Sequence, residues 1–93
     1  MQFIQRLRGA IRNGEITTSI RIWQRPRVKV GNYYAMQDGF VRVNAIQEIG
    51  LGDITPKMAR DSGFSSVVEL LKVAKHGHGM HVYLVRFQFV AER

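Results

Sequence analysis

Residues 14–23, GEITTSIRIW, decide the fold, because the hydrophobic period changes within them from helical to extended. Upstream of Gly14, the residues Phe3, Ile4, Leu7, Ala10 and Ile11 recur at helical spacing. Downstream the residues alternate: Thr18, Ile20 and Ile22 fall on one side of a strand, and Thr17, Ser19, Arg21 and Trp23 on the other. With Ile20 and Ile22 assigned to a core, the opposite face offers hydroxyls, a guanidinium and an indole at a repeat of about 7 Å. Such a row is suited to gripping a ligand.

Working outward, the N-terminal pattern predicts a helix over residues 2–13, closed at Gly14 by a left-handed C-cap. Its Arg8 and Arg12, four apart, read as a solvated face. After the strand, residues 24–32 (QRPRVKVGN) combine Pro and Gly with three cations, which predicts an exposed basic loop ending in a turn. Arg25, Arg27 and Lys29 on that loop are natural phosphate contacts. Residues 33–36 read as a short strand, 37–39 as a hairpin turn centred on Asp38-Gly39, and 40–49 as a longer strand. The glycines of 50–53 read as a turn.

Thr55-Pro56 has the chemistry of a helix start, with Gly63 at the end of that helix. Ser66 and Glu69 have capping-box spacing ahead of a second helix whose buried stripe is Val67, Leu70, Leu71 and Ala74. Lys72, Lys75 and His76 then fall at its C-terminal end, where cations suit the helix dipole. Tyr83, Val85, Phe87 and Phe89 alternate with Leu84, Arg86 and Gln88 in a closing strand. Repeats and low-complexity tracts are absent from the sequence.

Composition narrows the function classes. Ninety-three residues, 45% apolar, make one domain over residues 1–93 with a single core. Lys and Arg number 14 against seven acids, giving +7, an excess that favours a polyanionic partner. There is no cysteine, so disulfides, thiolate metal sites and a cysteine nucleophile are excluded. Arg6, Arg8 and Arg12 interrupt the N-terminal apolar residues as no signal peptide would, and no run is long enough to span a membrane. A cytoplasmic location is expected. Three imidazoles, His76, His78 and His81, cluster without Cys or a nearby acid in sequence, so a metal site is not expected there, nor any cofactor.

The chain also resembles a known family. Gly14 and Arg21 match the Gly-x-Lys-x-x-Glu/Thr-x-Arg strand of ASCH domains, relatives of the PUA-like RNA-binding barrels, with Ile16 and Ser19 at the Lys and Glu/Thr positions. Val30-Gly31-Asn32 resembles the family's Val-Gly-Asp turn, and Ile54-Thr55, Ala59, Gly63-Phe64 and Glu69-Leu70 its helical segment. Residues 82–87, VYLVRF, resemble its closing strand. The resemblance implies an α+β, PUA-like fold: a curled mixed β-barrel of about five strands flanked by an N-terminal helix and two further helices.

It also implies RNA, single-stranded nucleic acid or a modified nucleoside as ligand. Small ASCH amidohydrolases acting on acetylated cytidine use a Lys and a Thr of this strand with a Glu from the helical region. Those positions fall here on Ile16, Ser19 and Ser62, so Ser19 alone keeps a usable group and the chemistry is expected to be absent. Other ASCH proteins are described as ribonucleases, for which an acid–base pair would have to come from Lys57, His76, His78 or His81.

The reading that follows is binding of RNA or a nucleotide in a basic cleft beside the first strand. Arg21 anchors it, Thr17 and Ser19 hydrogen-bond, Trp23 stacks a base, and Arg25, Arg27, Lys29, Lys57 and Arg60 neutralise backbone charge. Two rivals are a nucleoside amidohydrolase or ribonuclease with an altered active site, and a protein-interaction module. Arg21 is costly to desolvate without an acceptor, so a ligand anion or an acid such as Glu48, Asp53 or Asp61 is expected beside it.

Overall fold

The period change at Gly14 is built as a helix end followed by an edge strand. The computed structural model describes residues 1–75 and 79–93. In chain order it contains α1 (Gln5–Arg12), β1 (Thr18–Trp23), β2 (Tyr33–Met36), β3 (Gly39–Ile49), a 3₁₀ turn (Leu51–Asp53), α2 (Pro56–Asp61), α3 (Val67–Ala74) and β4 (His81–Val90). The strands form one antiparallel sheet in the order β1-β4-β3-β2, curled into a half-barrel. A mixed barrel of five strands was expected. The basic segment after β1 adds no strand, and the parallel element is reduced to an isolated bridge between Ile22 and Lys75. Among the described residues no helix is long and apolar enough to cross a membrane.

Local chemistry accounts for most of the boundaries. Gly14 has φ +80° just beyond α1, as the C-cap reading requires. Thr55 Oγ1 accepts from the Met58 N–H at 3.1 Å, with Pro56 at the first helical position of α2. Ser66 Oγ accepts from the Glu69 N–H at 3.1 Å. The reciprocal half of that capping box is missing, because the Glu69 carboxylate turns to Ser65 and to Arg6. The 50–53 turn needs no special glycine angle; the Asp53 carboxylate holds it by accepting from the Gly50 N–H at 2.8 Å.

Three expectations shift. Helix α1 starts at Gln5, since Ile4 is extended with φ −62° and ψ 146° and residues 1–4 run outside the helix. The hairpin turn is Gln37-Asp38 with Gln37 at φ 54°, and Gly39 belongs to β3 opposite Met36. A Cβ on Gly39 would lie 2.5 Å from the Phe89 ring, so this glycine serves packing and not the turn. Arg12 is more than a solvated cation, for its guanidinium forks onto both Asp38 carboxylate oxygens at 3.0 Å and ties α1 to the hairpin.

The sheet is covered on both faces. Ile20, Ile22, Val82 and Leu84 pack with Ala59, Leu70 and Ala74 of α2 and α3. On the opposite face Trp23, Tyr83, Val85 and Phe87 pack with Phe3, Leu7 and Ile11 of the N-terminal segment and α1. The parity read from the sequence therefore holds, but the face expected to be open is a second core surface. Strand β1 lies at the sheet edge between these two layers, which decides where a ligand can reach it.

Candidate functional site

The Phe87 N–H donates to the Thr17 carbonyl at 2.9 Å, and antiparallel alternation then directs the backbone groups of Ser19, Arg21 and Trp23 toward β4. Those of Thr18, Ile20 and Ile22 point the other way, off the sheet. Lys75 bridges Ile22, and Gly79 sits so close to the Ile22 carbonyl that a Cβ would lie 2.5 Å from it. At Thr18 and Ile20 no backbone partner is present among the described residues, so the edge is open there.

A cavity of about 190 Å³ lies beside this open edge. Phe3, Ile4 and Leu7 wall it on the α1 side and Leu70, Val73 and Ala74 on the α3 side. Its polar groups come from Thr18, Ser19, Arg21 and Ser62. Ser62 is 3% exposed and shares a hydrogen bond of 3.2 Å with the Thr18 hydroxyl. The arrangement is a narrow apolar slot with hydroxyls and unpaired backbone along one rim, suited to a flat group that carries donors and acceptors on its edge.

Arg21 stands at the mouth of the slot. Its Nε donates to Ser19 Oγ at 2.7 Å, its Nη2 donates to the Gln2 carbonyl at 2.6 Å, and the guanidinium lies 5.0 Å from the Phe3 ring centroid. No carboxylate reaches it among the described residues. Of the acids expected as partners, Glu48 faces His81, Asp61 pairs with Lys57, and Asp53 holds the Gly50 turn. Burial without a counter-charge lowers the Arg21 pKa to about 10. It remains a cation at neutral pH, held by neutral acceptors and an aromatic face.

A second cavity, about 340 Å³, adjoins the first through Gln2 and Arg21 and is completed by Met1, Trp23, Arg27 and Val28. Val28 is 4% exposed and plugs the α1-side core, which fixes where the loop presents Arg27. Arg25 and Lys29 are exposed on the same loop, and the Lys29 N–H is anchored by the Tyr34 hydroxyl at 2.8 Å. Gly31, at φ +86°, forms the predicted turn.

Several expected site residues lie elsewhere. Trp23 is 3% exposed with its indole 6.0 Å from Tyr83, so it is core and has no open face on which to stack a base. Thr17 is exposed but borders neither cavity with Arg21. Lys57 and Arg60 belong to α2, packed on the far face of the sheet through Ala59, and Lys57 is neutralised by Asp61 at 2.7 Å. Neither borders the two cavities. Gln2 and Phe3 were missed, because a helix read as starting at residue 2 places them in its first turn.

The reading of His76 and His78 lies outside the described residues. His81 does have an acidic neighbour, Glu48, with its Nδ1 3.0 Å from Oε2; the two are adjacent because β3 and β4 pair, which local sequence does not disclose. Among the described residues no group of three potential metal ligands forms. Ile16 and Ser19, and Ser62 from a distant part of the chain, all border the slot. Comparison of the chain with protein-family models, with curated proteins and with solved structures gave no match to any.

Proposed function

We propose that this chain is a PUA-like domain of the ASCH type that binds RNA or a nucleotide in the cleft beside β1. The observation that carries the proposal is Arg21: a half-buried guanidinium with no carboxylate partner among the described residues, standing between an apolar slot and a cationic loop. A nucleotide matches both sides of it. The base is flat, apolar on its faces and hydrogen-bonding on its edge, while the phosphate is an acceptor for Arg. The open backbone at Thr18 and Ile20 and the Thr18 and Ser62 hydroxyls would read the base edge. Arg25, Arg27 and Lys29 would carry the flanking phosphates.

The ASCH reading is supported by convergence: Ile16, Ser19 and Ser62, the places of the amidohydrolase Lys, Thr and Glu in the resemblance, border one slot. The four-stranded half-barrel is read as a PUA-like barrel one strand short of the expected number. Binding is preferred to hydrolysis because the slot has neither an amine at residue 16 nor a carboxylate at residue 62 to move protons.

A binding screen against short single-stranded RNA, single-stranded DNA and free nucleosides tests the proposal. RNA binding should weaken by about 0.7 log unit per log unit of salt for each phosphate engaged. Affinity indifferent to salt, or binding to none of these ligands, would overturn it.

A further inference from the structure

The cavity bounded by Met1, Gln2, Arg21, Trp23, Arg27 and Val28 has a chemistry of its own. Its volume of about 340 Å³ is near the lower limit for ligand pockets and suits one small group better than a whole nucleotide. Two of its six lining residues are arginines and none is acidic. Arg21 engages Nε and Nη2 with neutral oxygens, which leaves both N–H groups of Nη1 without a partner among the described residues. Trp23 and Val28, each under 5% exposed, give the cavity a rigid apolar wall that offers no acceptor to a cation and little competition to an anion. The buried Val28 also anchors the backbone next to the exposed Arg27.

We infer that this cavity is a pocket for a phosphate monoester, gripped between the guanidiniums of Arg21 and Arg27. A monoester carries about −1.5 to −2 charge at neutral pH, matched by two arginines, whereas an internal diester with a single charge leaves one guanidinium uncompensated. Planar guanidinium forks also suit the several oxygens of a terminal phosphate. Because the cavity meets the apolar slot at Arg21, a strand end or a mononucleotide can place its base in the slot and its terminal phosphate here. The inference rests on the nucleotide reading for the rest of the ligand, but the pocket itself is testable without RNA.

Trp23 is the only tryptophan and lines the pocket, so its emission reports occupancy directly. Inorganic phosphate, titrated at constant ionic strength against chloride, should change that emission saturably in the wild type and not in Arg27→Gln. Arg27 is exposed, so the variant should retain its thermal unfolding midpoint. In parallel, one short oligoribonucleotide is compared with a 5′-phosphate, a 3′-phosphate or neither. One phosphorylated form should bind about tenfold or more tightly than the unmodified strand, as the loss of a charge-assisted grip predicts, and Arg27→Gln should abolish that preference.

A phosphate response without strand-end preference supports the pocket with free phosphate as its occupant. An Arg27→Gln effect equal on all strands assigns Arg27 to an internal diester and overturns the inference. No emission change with equal affinity for all strands also overturns it, while leaving RNA binding intact. Absence of binding to every strand defeats the nucleotide reading instead, and the phosphate titration then decides the pocket alone.

Discussion

Arg21→Met separates a binding role from a structural one, because the two predict opposite patterns of loss. Methionine keeps an unbranched stem over the Phe3 ring, now 5.0 Å from the guanidinium, but removes the charge and the donors to Ser19 and Gln2. Hydrogen bonds from charged donors contribute about 1.5–3 kcal/mol each, with the lower end appropriate where an acceptor can turn to water. Against that stands the cost of holding a half-buried cation with no carboxylate beside it, and replacing buried charge by apolar side chain is often neutral or stabilising by about 1–4 kcal/mol. The two effects nearly cancel.

Stability should therefore change by no more than about 1 kcal/mol, a midpoint shift within about 4–8 °C for a domain of this size. Ligand affinity should not survive. Truncating one partner of a buried charge pair costs about 2–5 kcal/mol, or roughly 30-fold and upward. Thermal unfolding together with fluorescence anisotropy of a labelled single-stranded RNA, corrected to the folded fraction, measures both quantities. Arg21→Lys is the companion: one ammonium cannot span Ser19 and the Gln2 carbonyl in a planar fork, so affinity should fall about tenfold with charge retained. A midpoint lowered by about 15 °C or more in Arg21→Met, with unchanged affinity, would refute the reasoning and make Arg21 a structural residue.

Other perturbations test the fold around the site. Trp23→Ala should destabilise by about 3–5 kcal/mol as a core truncation, and a loss below about 1 kcal/mol in chemical denaturation would return Trp23 to the surface. Gly63→Ala should cost about 2–4 kcal/mol, since Gly63 has φ +94° and a Cβ would meet Leu7 Cδ2 at 2.5 Å; Gly14→Ala, at φ +80° with nothing within 4 Å, should cost only about 1–2 kcal/mol. The hydrogen bond from Arg12 holds the Asp38 carboxyl below its ordinary 3.8, and that from the Ser65 hydroxyl holds Glu69 below its ordinary 4.5. A carboxyl lowered by folding stabilises above its ordinary value and loses that contribution as pH falls through the lowered one. The unfolding midpoint of the wild type should thus fall more steeply below about pH 4.5 than that of Asp38→Asn with Glu69→Gln, and parallel curves would contradict both pairings.

What the sequence disclosed and what it hid divide along a physical line. Helix caps, turns and strand alternation depend on neighbours a few residues apart, so Gly14, Thr55, Ser66 and Gly31 could be read directly, as could the parity that sets Ser19 and Arg21 opposite Ile20 and Ile22. Whether a face is open depends on what packs over it, and nothing near Trp23 says that Phe3, Leu7 and Ile11 return to cover its side of the sheet. The same limit misplaced Lys57 and Arg60, which were grouped with Arg21 by charge although α2 carries them to the far face.

It also hid the Glu48–His81 pair, made adjacent by the pairing of β3 with β4. Arg21 escapes this division. A cation alternating with core isoleucines must meet some acceptor whatever the packing, so its need for one could be inferred before its partners were known. Among the described residues its partners are neutral: Ser19 Oγ, the Gln2 carbonyl and the Phe3 ring. The acids that would have explained Arg21 as internal architecture are committed elsewhere: Glu48 to His81, Asp61 to Lys57 and Asp53 to Gly50. On the proposed reading, an anion bound at the junction of the slot and the basic loop would supply the counter-charge that no carboxylate gives this guanidinium among the described residues, and the affinity of Arg21→Met is the measurement that decides it.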